Sequence, residues 1–232
     1  MLEINKIHNM SCLEGMKEVE ENTIATCITD PPYNYEFIGH TWDDEESKRR
    51  IEKAQNSNTL VKNIPYGSGL AGGVRNERWY KKNRDNILEY GEWIEKWGKE
   101  LYRIMKRGGY VFIFNSTRTI AHVQVALENC GFYTRDIMVW RRNSGIPKGL
   151  NVSKKLEKMG YPNAKYWEGW HSAFRNEWEA VLVVQKPLVN NYIETLNEFN
   201  VGLLKVKDSN GFKSNIIENI KRDKKDEFKV SM

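Results

Sequence analysis

The chain has 232 residues, enough to bury one substantial core, and 12% of them are aromatic, including 8 tryptophans. This composition excludes a wholly disordered chain, and no apolar run reaches the length of a membrane span. The 3 cysteines and 4 histidines show no metal-ligand spacing, and the net charge of +5 permits nucleic-acid binding without requiring it. We therefore expect a soluble protein of a reducing cytoplasm, with no metal and no membrane segment.

The first predicted elements bring a turn and a strand end to one edge of a sheet. Residues 3–8 are interpreted as a short strand, 13–20 as an amphipathic helix, and 23–29 as a buried strand rich in β-branched residues. This succession predicts a parallel crossover, which places the turn Asn9–Cys12 and Asp30 at the edge where α/β sheets bind ligands. The turn is then either part of a small-molecule pocket or a simple connection.

The tetrapeptide Asp30-Pro31-Pro32-Tyr33 ends the second strand. Proline fixes φ and lacks an N–H, so the strand stops here, with the Asp30 carboxylate and the Pro31 carbonyl held in fixed directions. An exocyclic amine of a nucleobase is a poor nucleophile because its lone pair is delocalised into the ring. Two acceptors can bind both amine hydrogens and favour a pyramidal nitrogen, while the Tyr33 ring stacks on the base for about 1–3 kcal/mol. The base must first leave the duplex. A proline-terminated strand with an ordinary turn is the alternative.

Residues 34–84 lack the periodicity of a helix or strand and are predicted to form a mobile lid or a loop ordered by DNA. The run Gly67–Gly73 spells G-x-G-x-x-G, but no apolar strand precedes it and no clear helix follows, which argues against a dinucleotide site. Phe37 and Trp42 follow the tetrapeptide closely. They are candidates for the pocket of a flipped base, or else packing groups.

Helices and strands alternate through the middle of the chain. The predicted elements are a helix over 87–106, a strand over 110–114, a helix over 118–129 capped by Asn115–Thr117, and antiparallel strands over 132–140 and 179–184. The last two strands flank a long connection and predict a hairpin at the edge of the sheet. Beyond residue 190 the sequence is polar and weakly patterned, and a frayed charged tail is expected from residue 221.

The connection at 141–176 is the basic part of the chain. Between residues 141 and 165 there are seven Lys or Arg residues and one acidic residue, interleaved with aromatic side chains. That pattern is typical of a surface that contacts phosphates, although a solvated loop with paired salt bridges is the alternative. The candidate DNA-contacting residues are Arg141, Arg142, Lys148, Lys154 and Lys155.

Several motifs occur in an order typical of one family. They are Asp30-Pro31-Pro32-Tyr33, Phe37-Ile38-Gly39, Trp42-Asp43, Gly108-Gly109, Ser116-Thr117-Arg118-Thr119, Trp167-Glu168-Gly169-Trp170 and Gln185-Lys186-Pro187-Leu188. Over about residues 4–205 the chain resembles β-class DNA amino-methyltransferases, which transfer a methyl group from S-adenosylmethionine to adenine N6 or cytosine N4.

The resemblance implies an α/β fold of the Rossmann-like, S-adenosylmethionine-dependent methyltransferase type. It implies catalytic roles for Asp30, Pro31, Pro32 and Tyr33, and a cofactor site lined by Met10, Ser11, Cys12 and Asp30. An aspartate in first place, where other members have serine, is commoner among N6-adenine enzymes, so adenine is the expected base. N4-cytosine specificity stays open.

Two departures from the family pattern change the expected assembly. Ser11 stands where the family usually has an acidic residue, so a hydroxyl replaces the expected carboxylate contact with the cofactor. The family's cofactor motif, Asp-Pro-Phe-x-Gly-x-Gly, should follow a His-Pro-Thr-x-Lys-Pro stretch, and nothing after Gln185 supplies it. We therefore expect an incomplete fold, the catalytic subunit of a split enzyme whose second subunit carries that motif.

The expected organisation follows from this interpretation. Residues 1–33 and 85–190 would form the catalytic half-domain, and 190–232 the start of a target-recognition region or a tail that contacts the partner. The other partner would be duplex DNA, in a bacterial or phage-encoded restriction–modification setting near the nucleoid. Competing interpretations are a catalytically inactive, truncated nucleic-acid-binding protein and an enzyme acting on RNA or a protein amide. The intact tetrapeptide disfavours the first, and no stacking platform typical of RNA readers supports the second.

Overall fold

The structure is a computed structural model that describes residues 2–33, 77–142 and 149–218. In the helix that begins at residue 77, side chains are described at residue 84 and from residue 87 onward. The candidates Phe37, Trp42 and Lys148, the predicted lid up to residue 76, and the tail beyond 218 lie outside the described residues.

Helices and strands alternate along the described parts of the chain. The helices are α1 (Cys12–Lys17), α2 (Glu77–Ile104), α3 (Ile120–Asn129), α4 (Val152–Lys158) and α5 (Tyr192–Phe199), with a 3₁₀ turn at Ala164–Trp167. The strands are β1 (Ile24–Thr29), β2 (Met105–Asn115), β3 (Tyr133–Arg141), β4 (Trp178–Gln185), β5 (Lys207–Asp208), β6 (Gly211–Phe212) and β7 (Ile216–Glu218). The α/β class predicted from the sequence is confirmed.

Within the described residues the main sheet has five strands, in the order β1-β2-β4-β3-β7. Strands β1 and β2 are parallel, and helix α2 lies between them in sequence, whereas β4 runs antiparallel between β2 and β3. The predicted hairpin of β3 and β4 is confirmed, but β4 occupies an interior position and β7 pairs with the outer side of β3. Strands β5 and β6 form a separate two-stranded ribbon.

The core lies between one face of the sheet and helices α2 and α3. Its fully buried members include Ile94 of α2, Val123 and Leu127 of α3, and Leu182 and Val184 of β4, all at 0% exposure. Residues 180–185 of β4 are buried on both faces of the sheet. This is expected of an interior strand covered on each side. Helices α2 and α3 therefore cover the core face of the sheet.

Two predictions about element boundaries are wrong. Residues 3–8 form no strand: they are exposed, with Ile4 at 88% and Ile7 at 100%. The expected crossover through this segment is therefore not formed, because no described strand pairs with it. Helix α2 begins at Glu77, so residues 77–84 belong to the helix rather than to the predicted loop 34–84.

The C-terminal polar region is also more regular than predicted. It contains helix α5, which begins at the cap residue Asn191, whose side chain accepts hydrogen bonds from the backbone N–H groups of Ile193 and Glu194. This is the usual way in which an asparagine starts a helix. The helix ends at Asn200, which adopts a left-handed conformation (φ +54°).

Two glycines of this framework should respond in opposite ways to alanine. A Cβ at Gly109 would lie 2.9 Å from the backbone oxygen of Ala25 on the neighbouring strand, whereas one at Gly91, inside α2, would meet nothing within 4 Å. We expect Gly109→Ala to destabilise the protein by about 1–3 kcal/mol and Gly91→Ala to stabilise it by about 0.5–1 kcal/mol. Urea unfolding of the two variants measures both changes. Equal free energies of unfolding would contradict the packing of β1 on β2.

Candidate active site at the carboxyl edge of the sheet

Several strand ends meet at one edge of the sheet. Thr29 of β1 pairs with Ile113 of β2, so Asp30 follows directly at this edge, next to the end of β2 at Asn115. The same edge carries the end of β3, where Arg141 pairs with Trp178. Neighbouring strands lie about 4.8 Å apart, so three strand spacings, about 14 Å across the sheet, separate β1 from β3. The predicted position of Asp30 at the carboxyl end of its strand is confirmed, and its side chain is exposed.

Buried side chains hold the backbone that follows Asp30. The Tyr90 hydroxyl of α2 donates to the carbonyl oxygen of Pro32 at 2.7 Å, and the Thr119 hydroxyl donates to the carbonyl oxygen of Tyr33 at 3.0 Å. Tyr33 itself is half-buried. Two successive carbonyls of the Asp30–Tyr33 tetrapeptide are therefore bonded to different helical elements.

Asn115 links these two contacts. Its Nδ2 donates to the Tyr90 hydroxyl at 3.0 Å, and its Oδ1 accepts from the Thr119 hydroxyl at 2.5 Å. Asn115 and Tyr90 are 0% exposed and Thr119 is 8% exposed. Burial raises the pKa of Tyr90 to about 12, so its hydroxyl is neutral and able to donate at neutral pH. We call Tyr90, Asn115 and Thr119 the buried triad.

The buried triad replaces a helix cap that the sequence predicted. Asn115–Thr117 was expected to cap the following helix, but α3 starts at Ile120 with Thr119 in the cap position and no side-chain cap hydrogen bond. The reason is that the Thr119 hydroxyl donates to Asn115 Oδ1 and to the Tyr33 carbonyl, while the Asn115 amide donates to Tyr90. No spacing pattern distinguished these residues. The available signal was a polar Asn115 at the end of an otherwise apolar strand.

The turn Asn9–Cys12 lies beside β1. Ser11 precedes α1 without a side-chain cap hydrogen bond, and Met10 and Cys12 are exposed. Cys27 of β1 is close enough to Cys12 to respond to it: burial first, and then Cys12, raise the pKa of Cys27 to about 11. The exposed Cys12 thiol and the Ser11 hydroxyl, which makes no helix-cap hydrogen bond, therefore lie near the strand that precedes Asp30.

The two candidate arginines of the basic connection are engaged in ion pairs. Arg141 contacts Glu218 at 3.3 Å, and Arg142 contacts Glu179 at 2.8 Å. Such pairs at the surface contribute about 0–1 kcal/mol and leave the arginine able to exchange partners. Phosphate contacts by Arg141 and Arg142 stay a prediction.

Helix α4 presents the remaining described basic candidates. The Asn151 side chain caps this helix by accepting from the backbone N–H of Lys154 at 3.1 Å. Lys154 and Lys155 are both exposed in its first turns. Since α4 belongs to the connection between β3 and β4, its chain leaves and re-enters the sheet at the edge that carries Asp30.

A row of aromatic side chains lies on the same connection. The rings of Tyr166 and Trp167 are 5.5 Å apart edge to face, and those of Trp167 and Trp170 are also 5.5 Å apart. Tyr166 is 78% exposed and Trp170 is 60% exposed. Large exposed apolar patches are found more often at interaction surfaces than on the rest of a protein surface.

In the described part of the chain, no group of three or more His, Cys, Asp or Glu residues is placed to hold a metal ion. None of the described helices is long and apolar enough to span a bilayer.

Comparisons with known proteins identify the family to which this chain is similar. Residues 24–230 match the model of a family described as DNA methylase. The Type II methyltransferase M.HindIII of Haemophilus influenzae is 30% identical over 191 residues, which cover 79% of this chain and 59% of that protein. The Type II methyltransferase M1.MboII of Moraxella bovis is 43% identical over 146 residues, which cover 63% of this chain and 40% of that protein. The chain thus spans between 40% and 59% of the length of these two relatives.

One solved structure shares part of this fold. The cytosine-N4-specific PvuII DNA methyltransferase aligns with 92% of this chain and 57% of its own, at 10% identity and a TM-score of 0.45.

Proposed function

Because the chain belongs to the DNA methylase family, we propose that it is the catalytic part of an enzyme that methylates the exocyclic amine of a base in duplex DNA. The methyl donor is S-adenosylmethionine, and the base is adenine, modified at N6 after it has flipped out of the helix. The observation that carries this proposal is the position of Asp30 at the carboxyl end of β1, followed by two carbonyls that buried side chains hold.

Asp30 and the backbone of Pro31 would bind the amine. The carboxylate accepts one amine hydrogen and the Pro31 carbonyl accepts the other, which draws the nitrogen lone pair out of conjugation with the ring. S-adenosylmethionine, when bound, supplies a methyl group on a positively charged sulfur. The methylated amine would lose one proton while the bonding electrons of the transferred methyl remain with the sulfur, and the Asp30 carboxylate would accept that proton. The Tyr33 ring would stack on the base.

The described residues offer groups suited to one side of the cofactor. Asp30 is an exposed carboxylate, which suits an amine or a ribose hydroxyl, and the Ser11 hydroxyl is not used as a helix cap. We propose that Met10, Ser11, Cys12 and Asp30 line this side of the site. The proposal for adenine rather than cytosine rests on the aspartate in first place in the tetrapeptide.

The basic connection would hold the DNA. Its helix α4 and its aromatic row both lie on the segment that starts and ends at the edge of Asp30, so a duplex bound there would present a base to the tetrapeptide. Phosphate contacts by Lys154, Lys155, Arg141 and Arg142 position the duplex, and exposed aromatic rings stack where bases are accessible. Phe37 and Trp42 remain proposed lining groups of the base pocket.

Removal of two lysines should change the salt dependence of DNA binding. Each phosphate contact contributes about 0.9 to the slope of log affinity against log salt. The double variant Lys154→Ala, Lys155→Ala should therefore lower the slope by about 2 without changing sequence preference. The matched control is Lys96→Ala, Lys99→Ala, two exposed lysines on α2. Titration of labelled duplex at several salt concentrations measures both slopes. Identical slopes for the two double variants would contradict the role of α4.

A second polypeptide would complete the sheet. Within the described residues β1 pairs only with β2, and Ile28 of β1 is 71% exposed. A parallel strand is normally covered on both sides, so we propose that a partner subunit with the glycine-rich cofactor motif adds its strands to the free edge of β1. Such an interface is obligate, large and apolar, like a domain core cut in half.

Affinity purification of the tagged chain from its native source tests the split enzyme. The expected result is a second polypeptide in fixed ratio, with a glycine-rich methyltransferase motif, and a pair that methylates duplex DNA in the cytoplasm of a bacterium or after phage infection. If this chain alone binds S-adenosylmethionine at micromolar affinity and methylates DNA, the split assembly is wrong while the chemistry stands. If DNA binding persists without methylation in every complex, the chain is a non-catalytic nucleic-acid-binding protein.

A further inference from the structure

We propose that the buried triad positions the reactive tetrapeptide, and that its hydroxyl groups are required for the rate of methyl transfer rather than for folding alone. This inference rests on the proposed function, because it assigns a role to Tyr90, Asn115 and Thr119 in that same reaction. They are positioning residues: they bond to the carbonyls of Pro32 and Tyr33 and act on the substrate only through that backbone.

The contacts form one chain with a carbonyl at each end. It runs from the Pro32 oxygen through Tyr90, Asn115 and Thr119 to the Tyr33 oxygen, a total of four contacts. Both ends are acceptors of the same tetrapeptide. The hydrogen bonds among Tyr90, Asn115 and Thr119 therefore fix the two peptide groups on either side of Tyr33.

Two hydroxyl groups donate to the tetrapeptide. The Tyr90 hydroxyl donates to the Pro32 carbonyl and accepts an amide proton from Asn115. The Thr119 hydroxyl lies within hydrogen-bond distance of two acceptors, Asn115 Oδ1 and the Tyr33 carbonyl. Asn115 therefore couples the two hydroxyl groups that hold the tetrapeptide.

The contact at Pro32 bears on the proposed amine acceptor. The Pro31 carbonyl, which would accept an amine hydrogen, is linked to the held Pro32 carbonyl through the fixed φ of Pro32 and a single free rotation, ψ. The hydrogen bond from Tyr90 therefore restricts the direction of the Pro31 carbonyl.

The control residues lie at the opposite edge of the sheet. Thr195 is 0% exposed, like a member of the buried triad, and its hydroxyl accepts from Val189 N at 3.0 Å and donates to Asn191 O at 2.8 Å. Tyr133, the first residue of β3, donates to the side-chain oxygen of the buried Gln185 at the end of β4. Thr195→Val therefore removes a buried hydroxyl and Tyr133→Phe a partly buried one, of the same residue types as in the buried triad, without touching the tetrapeptide.

The experiment compares the two sets of variants in the assembled enzyme. Tyr90→Phe and Thr119→Val should lower kcat by about 10–100-fold with KM for DNA changed less than about threefold, as expected when reacting groups are displaced by a fraction of an ångström to one ångström. Tyr133→Phe and Thr195→Val should keep kcat within about twofold of the parent enzyme at a comparable loss in melting temperature. Thr119→Ser, which keeps the hydroxyl, should recover most of the rate.

A second measurement, hydrogen exchange, separates this inference from the proposed function. Hydrogen exchange of the Tyr33 amide should accelerate in Thr119→Val and stay unchanged in Thr195→Val, whether or not the enzyme is active. If the parent complex methylates no base, the proposed function fails and exchange alone tests the backbone contact. If the parent is active and Thr119→Val matches Thr195→Val in both kcat and exchange, the triad is merely structural and the inference is overturned.

Discussion

Replacement of Asp30 by alanine should abolish most of the methyl transfer while DNA binding persists. The carboxylate is the proposed acceptor of an amine hydrogen and of the released proton, and loss of such a group lowers rates by about 10²–10⁴-fold. Asp30 is exposed and lies after the last residue of β1, so the substitution leaves no buried gap and should not change the melting temperature. The measurement is single-turnover methylation of a duplex by the assembled enzyme, paired with a binding titration.

Two further variants sharpen this test. Asp30→Asn keeps the shape and one acceptor oxygen but loses the negative charge, so a rate between those of the parent and Asp30→Ala is expected. Asp208→Ala, which removes an exposed aspartate from the ribbon of β5 and β6, is the control and should leave the rate unchanged. Asp30→Ala activity above about a tenth of the parent rate would contradict the assigned chemistry.

Lys186→Met should produce the largest loss of stability among the lysines described. Lys186 is only 7% exposed, and its ammonium donates to the carbonyls of Tyr102 and Met105 and to the Asn22 side chain at 2.8–3.0 Å. It also lies 4.5 Å from the ring centre of Tyr102. Burial lowers the pKa of this lysine, and the three acceptors offset part of the hydration that its ammonium group loses.

The expected loss follows from the acceptors left behind. Methionine keeps most of the aliphatic stem but donates nothing, and unpaired buried acceptors typically cost about 1–3 kcal/mol each before relaxation. We expect the free energy of unfolding to fall by about 2–4 kcal/mol. Lys99→Met, at an exposed position on α2, is the control and should change it by less than about 0.5 kcal/mol. Urea unfolding measures both, and equal midpoints would contradict this account of Lys186.

This result would also give a structural role to the motif Gln185-Lys186-Pro187-Leu188, to which the sequence alone assigns none. Gln185 and Lys186 lie at the edge of the sheet opposite to Asp30, where the Gln185 side chain donates to the carbonyls of Gly108 and Gly202. The motif thus joins the start of β2 to the end of β4. Its described contacts serve the framework rather than the reaction.

The sequence predicted the parts of the fold that depend on local patterns. The apolar run before Asp30, the prolines after it, and the two strands around the basic connection all appear as expected. Residues 3–8 contain the same kinds of residues as a strand, but a strand also needs a neighbour, and no described strand supplies one. The local pattern alone therefore predicted a strand that this segment does not form.

The buried triad escaped prediction because its contacts join distant parts of the chain. Tyr90 and Pro32 are 58 residues apart, and Thr119 and Tyr33 are 86 residues apart. Tyr90 also matches the apolar stripe of α2, which hides its polar role. The pairing of Arg141 with Glu218 was likewise invisible, since the two residues are 77 positions apart. The sequence shows where the basic residues are concentrated, but not which acidic residues form ion pairs with them.

The most direct test of the central claim is the identity of the methylated nucleoside. DNA from cells that express the chain together with its co-purifying partner is digested and analysed by mass spectrometry, alongside DNA from cells that express Asp30→Ala with the same partner. The predicted result is N6-methyladenine in the first sample and its absence in the second. N4-methylcytosine would contradict adenine as the target, and no methylated base in either sample would contradict the assignment of this chain as a catalytic subunit.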